Sequence, residues 1–300
     1  MGKRLAIFIE RYTINRSAEF EALLRYRAAA EELGHQADYL FRRELKNIPK
    51  YDAVLIRALT DPLNSSFVAA RMAELHGKPV IDDSRSIVIC CDKIHMYRRL
   101  AAARVPVPRT VFCGRGDMDE RRATQLLEEL GPRLVLKAPN SSFSQHVEAV
   151  RTPGEFTRVG ERFLRRADRI VVQEFVESEF DWRVGVLGGE PIFACRYVIP
   201  QESFKILAIV DGKTRVCPVE AVPLAEAPPR IVAAAVAAAG AVGDGLYGVD
   251  IKQRGDEFYL IEVNDNPSIE AGYEDKILGD KLYARIMKSL VQRVERIKGE

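Results

Sequence analysis

Cysteine is scarce and unpatterned. The five cysteines, Cys90, Cys91, Cys113, Cys195 and Cys217, are odd in number and form no C-x-x-C pair. That argues against zinc and against a disulfide framework, and makes a reducing cytoplasm the expected compartment. An excess of one charge is missing as well. Lys and Arg number 45 against 43 Asp and Glu, a net charge of +2, so bulk charge gives no case for nucleic acid or a membrane surface. No long apolar run is present. The longest weakly polar stretch, Ile231 to Val242, is rich in alanine and falls short of the ~20 residues that span a bilayer. After the basic opening, Leu5 to Ile9 is apolar and stops at Glu10, which fits a first strand better than a secretory signal. No G-x-G-x-x-G follows that strand, which argues against a dinucleotide site.

What is present is ordinary for a globular chain: 300 residues, 47% hydrophobic and 29% charged, enough for one large unit or about two to three small ones. Residues 1–89 alternate strand and helix. Strands are expected at Leu5–Ile9, Ala37–Phe41, Tyr51–Ile56 and Lys78–Asp82, with helices from Ser17 to Leu33 and from Asn64 to His76. This pattern predicts an open α/β sheet. Residues 90–176 read as a smaller α+β unit, entered by a helix from Ser86 to Ala103 that Pro106 and Pro108 break. Residues 177–300 carry long strands, an alanine-rich helix near Pro229–Gly240, a hairpin and a final helix, Asp280–Ile297, whose apolar spacing buries one face.

The hairpin, residues 247–270, carries the densest chemistry. Two runs rich in Val, Ile, Tyr and Phe flank a polar turn, Gln253 to Glu257, containing Gly255. Strand alternation points Glu262 and Asn264 the same way. A register that sets Asp250 opposite Glu262 gathers two carboxylates and an amide on one patch. Such a donor set suits a hard cation, Mg²⁺ above all. Polar residues on a hairpin's outer face are usually just solvated. Glu262, however, interrupts the apolar run Tyr259 to Val263, and a carboxylate there needs a partner. Pro267 ends the strand.

Other residues point to phosphate. Lys137 ends the apolar strand Leu134–Lys137 and is followed by the polar loop Pro139–His146. A lysine so placed is well positioned to meet phosphate oxygens, with Ser141, Ser142 and Ser144 able to cover them, although most lysines are solvated surface residues and such a loop is often only a polar surface loop. Lys93 stands at the entry to the second unit. Gln173 and Glu174 interrupt the apolar strand Val171–Val176, where the plain reading is an exposed pair. Asp181 and Arg183 share a strand face, and Trp182 turns the other way into the core.

Taken together, Lys93, Lys137, Gln173-Glu174, Asp181-x-Arg183, Asp250, Glu262-x-Asn264 and Asn266-Pro267 resemble the ATP-grasp ligases, specifically the RimK-like branch, over about residues 85–275. The resemblance implies an ATP-grasp fold: an N-terminal open α/β domain, residues 1–89, and two α+β subdomains, 90–176 and 177–300, clasping ATP. It implies that Lys93 and Lys137 bind the α- and β-phosphates, with Ser142 and Ser144 over them. The backbone at Glu174 and Val176, beside Gln173, would meet adenine, and Asp181 the ribose. Arg183 would stabilise the transferring phosphoryl group, and Arg196 is a second candidate for the acid substrate. Asp250, Glu262 and Asn264 would hold Mg²⁺, with Mn²⁺ an alternative.

The implied reaction joins a carboxylic acid to an amine through an acyl phosphate, often adding an amino acid such as glutamate to a peptide, protein or small amine. Neither nucleic acid nor membrane is an expected partner, and dimers and tetramers are frequent in the family. One feature departs from the pattern. The phosphate loop has no glycine between Gly131 and Gly154, and His146 stands where glycine is expected. That keeps a non-catalytic ATP-binding regulator open as an alternative, beside a glutathione-synthetase-like or D-Ala–D-Ala-ligase-like small-molecule ligase. The acidic segment Ser268 to Asp275 reads either as a group orienting the amine or as a mobile loop.

Overall fold

The computed structural model describes residues 2–140, 146–200, 207–210 and 213–299. The first sheet is built from β1 (Arg4–Phe8), β2 (Gln36–Leu40), β3 (Ala53–Ile56) and β4 (Val80–Ile81). It is parallel throughout and ordered β2-β1-β3-β4. Both faces are covered, so β1, β3 and β4 read as near-continuous apolar runs, while the edge strand β2 carries Gln36 and Asp38. Leu5 and Ile7 pack with Leu23 and Tyr26 of the helix that follows β1, whereas Ala6 and Phe8 pack with Ala69 and Ala73 on the other side. The connecting helices are α1 (Arg11–Ile14), α2 (Ser17–Glu32) and α3 (Ser65–Leu75), with a 3-10 helix over Arg42–Lys50.

The helix expected from Ser86 to Ala103 is two helices, α4 (Ser84–Cys91) and α5 (Lys93–Ala102). Asp92 breaks it. Its backbone is extended, and its carboxylate accepts the Ile94 and His95 N–H groups. An aspartate that caps a new helix competes with continuing the old one. The consequence is that Lys93 opens a helix at the domain entry.

A small antiparallel sheet follows, ordered β5-β8-β6-β7. Its strands are β5 (Thr110–Gly114), β6 (Leu134–Lys137), β7 (Val147–Val150) and β8 (Arg169–Glu174), and α6 (Glu120–Leu130) and α7 (Pro153–Leu164) pack on it. The larger antiparallel sheet starts with β9 (Phe180–Leu187) and β10 (Glu190–Val198). A short hairpin, β11 (Leu207–Val210) and β12 (Lys213–Val216), stands apart. Then come β13 (Val219–Val222), α8 (Pro229–Val242), β14 (Leu246–Arg254), β15 (Glu257–Asp265) and α9 (Asp280–Gly299). The order is β13-β10-β9-β14-β15. Helix α8 covers one face, and α9 joins the other to the N-terminal core.

The hairpin of β14 and β15 turns through Gly255, at φ +59°. That is a left-handed conformation which costs a side chain more than it costs glycine. Gly248 has a different reason: a Cβ there would lie 2.7 Å from Pro267 Cβ. The chain after β15 therefore folds back tightly over the hairpin. Among the described residues, no helix is long and apolar enough to cross a membrane.

Candidate active site

Three strands bring the polar residues together. Asp250 pairs with Glu262 across β14 and β15, and with Arg183 across β14 and β9. Directly paired residues share a face, so Asp250, Glu262 and Arg183 converge. Arg183 grips Asp250 at two points, Nε to Oδ1 at 2.7 Å and Nη2 to Oδ2 at 2.8 Å. Asn264 Nδ2 donates to Asp250 Oδ2 at 3.0 Å. From the first position of α5, Lys93 Nζ reaches to 2.9 Å from Glu262 Oε1. Lys252, two residues beyond Asp250 and on the same face, holds Asp181 Oδ1 at 2.6 Å. The cleft between the small and large sheets is lined by Lys93, Lys137, Gln173, Glu174, Val176, Asp181, Asp250, Lys252 and Glu262.

The charges in this cleft offset one another. Burial acts against the Glu262 carboxylate, but the Lys93 ammonium beside it, helped by Lys137 and Arg183, holds its pKa below the ordinary value. Burial pulls Lys93 down, and Glu262 outweighs that, leaving the ammonium above its usual range. Asp181 is raised, because burial exceeds the help from Lys252. Lys137 is held differently. It donates to the Tyr97 hydroxyl at 2.8 Å. Burial pushes its pKa down to about 8, against a smaller upward pull from Glu262. A buried amine so weakly compensated is ready for an anion.

The metal donors expected from the sequence are two carboxylates and an amide. Arg183 and Asn264 take three of the roughly four acceptor positions of Asp250, and Glu262 is 28% exposed. Among the described residues, no three His, Cys, Asp or Glu side chains form a cage. The donor set fits a hard ion that keeps water and phosphate ligands of its own.

A family model for an ATP-grasp domain, the third family of its clade, matches residues 43–286. The chain belongs to the ATP-grasp family. Its relatives include a probable alpha-L-glutamate ligase of Vibrio atlanticus (strain LGP32), 26% identical over 308 residues, covering 96% of this chain and 98% of that protein. A D-alanine–D-alanine ligase from Bacillus anthracis, solved with ATP, has the same fold at a TM-score of 0.74 and 16% identity, covering 99% of each chain. A RimK domain ATP-grasp protein from Sphaerobacter thermophilus gives a TM-score of 0.67 at 18% identity, over 95% of this chain and 98% of that one. The α/β ATP-grasp fold expected from the motifs is therefore the fold observed.

Within the ATP-grasp site, one expected residue lies elsewhere. Arg196 pairs with Trp182 across β9 and β10, so it shares the Trp182 face and not that of Arg183. Its guanidinium sits over the Phe180 and Trp182 rings and pairs with Glu220 at 3.0 Å. Single-strand alternation could not show this, because the face depends on the β9–β10 register. Gln173 lines the cleft, but its amide is engaged inside the small unit, Nε2 to Thr110 Oγ1 at 2.8 Å and Oε1 from Tyr97 at 3.2 Å. Glu174 sends its carboxylate to Arg109. Ser141, Ser142 and Ser144 lie outside the described residues. His146 packs edge-on to Phe163 and meets Arg166.

The acidic segment is anchored at its end. Glu274 is buried, accepting from the Tyr197 hydroxyl and from the Glu270 N–H. Asp275 is buried against Tyr283 and Arg25. Tyr197 also contacts Arg183 Nη1 at 3.4 Å, so the segment braces the arginine from behind.

Sequence reasoning missed four residues here. Lys252 was detectable as the next same-face position after Asp250. Tyr97, one turn after Lys93 on α5, was detectable by helical spacing. Arg57, whose Nη1 reaches Asn266 Oδ1 at 2.7 Å and whose Nη2 reaches the Pro267 carbonyl at 3.0 Å, gave no local signal. Neither did Asp82, which accepts the Leu246 and Asn266 N–H groups. These two cross from the N-terminal sheet to the end of β15 and the residues after it, and hold Asn266 at φ +44°, which asparagine tolerates better than most residues.

Proposed function

We propose that this ATP-dependent carboxylate–amine ligase binds ATP in the cleft between the small and large sheets, and joins an amino acid to a peptide, protein or small amine. The observation that carries the reading is the convergence of Arg183, Asp250, Glu262, Asn264, Lys93 and Lys137 in one cleft. Lys93 and Lys137 neutralise phosphate oxygens there. The β8 edge and the following residues through Val176 meet the adenine, and Asp181, fixed by Lys252, meets the ribose. Arg183, permanently charged and held by Asp250, faces the group that moves from ATP to the acid.

Asp250, Glu262 and Asn264 would hold Mg²⁺, or Mn²⁺ in its place, and the ion would supply charge neutralisation and orientation to the phosphates. The acid becomes an acyl phosphate and the amine displaces phosphate. No residue of the chain is required as a covalent nucleophile. Burial raises the thiols of Cys90 and Cys91, which makes them poor nucleophiles. The amino acid transferred is read as glutamate, by analogy with the probable alpha-L-glutamate ligase of Vibrio atlanticus.

The test is ADP release from Mg·ATP against pools of amino acids and amines. Release that needs both an acid and an amine supports the reading. Release that needs neither would mark an ATPase, and no ATP binding would overturn the assignment of the cleft.

A further inference from the structure

The hydroxyl of Tyr97 sits where the small and large sheets meet. Tyr97 lies on α5 and is buried. Its ring packs with Val171 of the small sheet and with Leu260 and Val263 of the large one. A phenylalanine would serve for that packing, so the hydroxyl needs a reason of its own.

Helix α5 runs along β15, the edge strand of the large sheet. An edge strand leaves backbone groups without a strand partner, and α5 meets successive residues of β15. Tyr97 donates to the Ile261 carbonyl at 2.5 Å, Lys93 reaches Glu262, and Met96 Sδ accepts the Val263 N–H at 3.3 Å. Beyond the helix, Pro106 accepts the Leu260 N–H at 2.8 Å. The strand that carries Glu262 is thus fastened to α5.

The hydrogen bonds around Tyr97 can run in one direction only. Thr110 Oγ1 donates to the Pro108 carbonyl at 2.6 Å, so it accepts the Gln173 amide N–H at 2.8 Å. That turns Gln173 Oε1 towards Tyr97, 3.2 Å away. A phenol has a single hydrogen to give. Ile261 and Gln173 both compete for it, so towards Lys137 Nζ, at 2.8 Å, the Tyr97 oxygen can only accept. Burial holds the hydroxyl well above its ordinary pKa, so it keeps that hydrogen. Lys137 gives one N–H to Tyr97 and lines the cleft.

We propose that Tyr97 is a positioning residue for nucleotide binding: its hydroxyl seats the Lys137 ammonium against β15, beside Glu262, so that phosphate oxygens meet a charge already fixed in place. The proposal rests on the reading above that ATP occupies the cleft. Lysine is a point charge on a flexible stem. An acceptor that holds its far end removes side-chain freedom that binding would otherwise have to freeze. Lys93 is seated by a different group, Glu262.

The test is nucleotide binding by calorimetry on the full chain with Mg²⁺, in the parent, Tyr97→Phe, Lys137→Met and the double variant. ATP and ADP are expected to bind Tyr97→Phe about tenfold more weakly, the scale of one hydrogen bond to a charged group. Once Lys137 is Met, Tyr97→Phe is expected to add no further loss, because no ammonium is left to seat. Adenosine has no phosphate, and by saturation-transfer NMR it is expected to bind the parent and Tyr97→Phe alike. Tyr97→4-aminophenylalanine guards against a folding defect. Its amine donates to both Ile261 and Gln173 but offers Lys137 only a weak acceptor, so it is expected to melt like the parent and to lose ATP affinity as Tyr97→Phe does.

Parent-like ATP affinity in either Tyr97 variant would overturn the inference. So would an equal loss in the Lys137→Met background, or an adenosine affinity that falls with that of ATP, since each would mark the hydroxyl as support for the fold alone. A parent that binds no ATP would remove the cleft assignment and this inference together, whereas a parent that binds ATP with no effect of Tyr97→Phe removes this inference only.

Discussion

Arg183 and Asp250 sit directly opposite one another on neighbouring strands and meet through two parallel hydrogen bonds, 2.7 and 2.8 Å long. The fork fixes the plane of the guanidinium, and the Tyr197 hydroxyl supports its far side. Lysine keeps the charge but has no fork. Arg183→Lys is expected to lower kcat for ADP release about 100-fold, the scale of losing one preorganised charge donor, with a smaller change in KM for ATP. Steady-state kinetics checks this. A kcat within a few-fold of the parent would remove Arg183 from the transfer step.

Lys252 and Asp181 form a pair in which each side chain is only 10% exposed. Removing one partner strands the other charge. Lys252→Met is expected to destabilise the fold by about 3–5 kcal/mol. The double variant Lys252→Met/Asp181→Leu is expected to recover most of that stability, because no buried charge is left alone, while still binding ATP poorly. Denaturant titration and nucleotide binding on the parent and both variants separate the two effects. Equal destabilisation of the single and double variants would contradict the account.

Lys137 has a pKa pushed down to about 8 by burial, against ~10.4 for an unfolded lysine. Between these values the unfolded state binds more protons, so this group makes stability rise with pH across that window, and its penalty is fully present below pH 8. Lys137→Met is therefore expected to be more stable than the parent at pH 7, with the gap closing as pH approaches 10. Nucleotide binding runs the other way, since phosphate favours the ammonium. ATP affinity is expected to fall above pH 8, with proton uptake visible as a buffer-dependent binding enthalpy. An ATP affinity that stays level from pH 7 to 9.5 would contradict the role given to Lys137.

Asp82 carries the opposite sign. Burial, with Asp265 nearby, raises its carboxyl to about 8, well above the unfolded ~3.9. Between those values the native state holds more protons, so stability from this group falls as pH rises from about 4 to 8. Its oxygens join the end of β4 to Leu246 and Asn266, so the loss is felt where the N-terminal sheet meets the β14–β15 hairpin. Asp82→Asn is expected to flatten the change in thermal midpoint between pH 5.5 and 8 relative to the parent. An unchanged slope would place the pH dependence elsewhere.

The hairpin was legible because its signals are local. Alternation and a glycine turn gave the strands, but the turn's own register, Arg254 opposite Glu257 through Ile251 opposite Leu260, would set Asp250 against Ile261; a bulge beside Asp250 shifts the pairing by one and brings Glu262 opposite it. The small unit's strand ending in Lys137 was equally plain, since an apolar run stops at a charge. The α4–α5 break was missed because apolar spacing continues through Asp92, while the capping bonds that interrupt it are visible only in three dimensions. Arg196 was misplaced because its face depends on pairing between β9 and β10. Arg57 and Asp82 were invisible for a related reason: each acts on Asn266 from about two hundred residues away in sequence.

The most direct test of the central claim, that Glu262 on the hairpin carries the metal and the phosphates, is ATP binding measured with and without Mg²⁺ in the parent and in Glu262→Gln. The glutamine keeps the size and the Lys93 contact but not the charge. The account predicts metal-dependent binding in the parent, a loss of that dependence in the variant, and ADP release reduced by about 100-fold or more. Metal-dependent binding that survives unchanged in Glu262→Gln would contradict it.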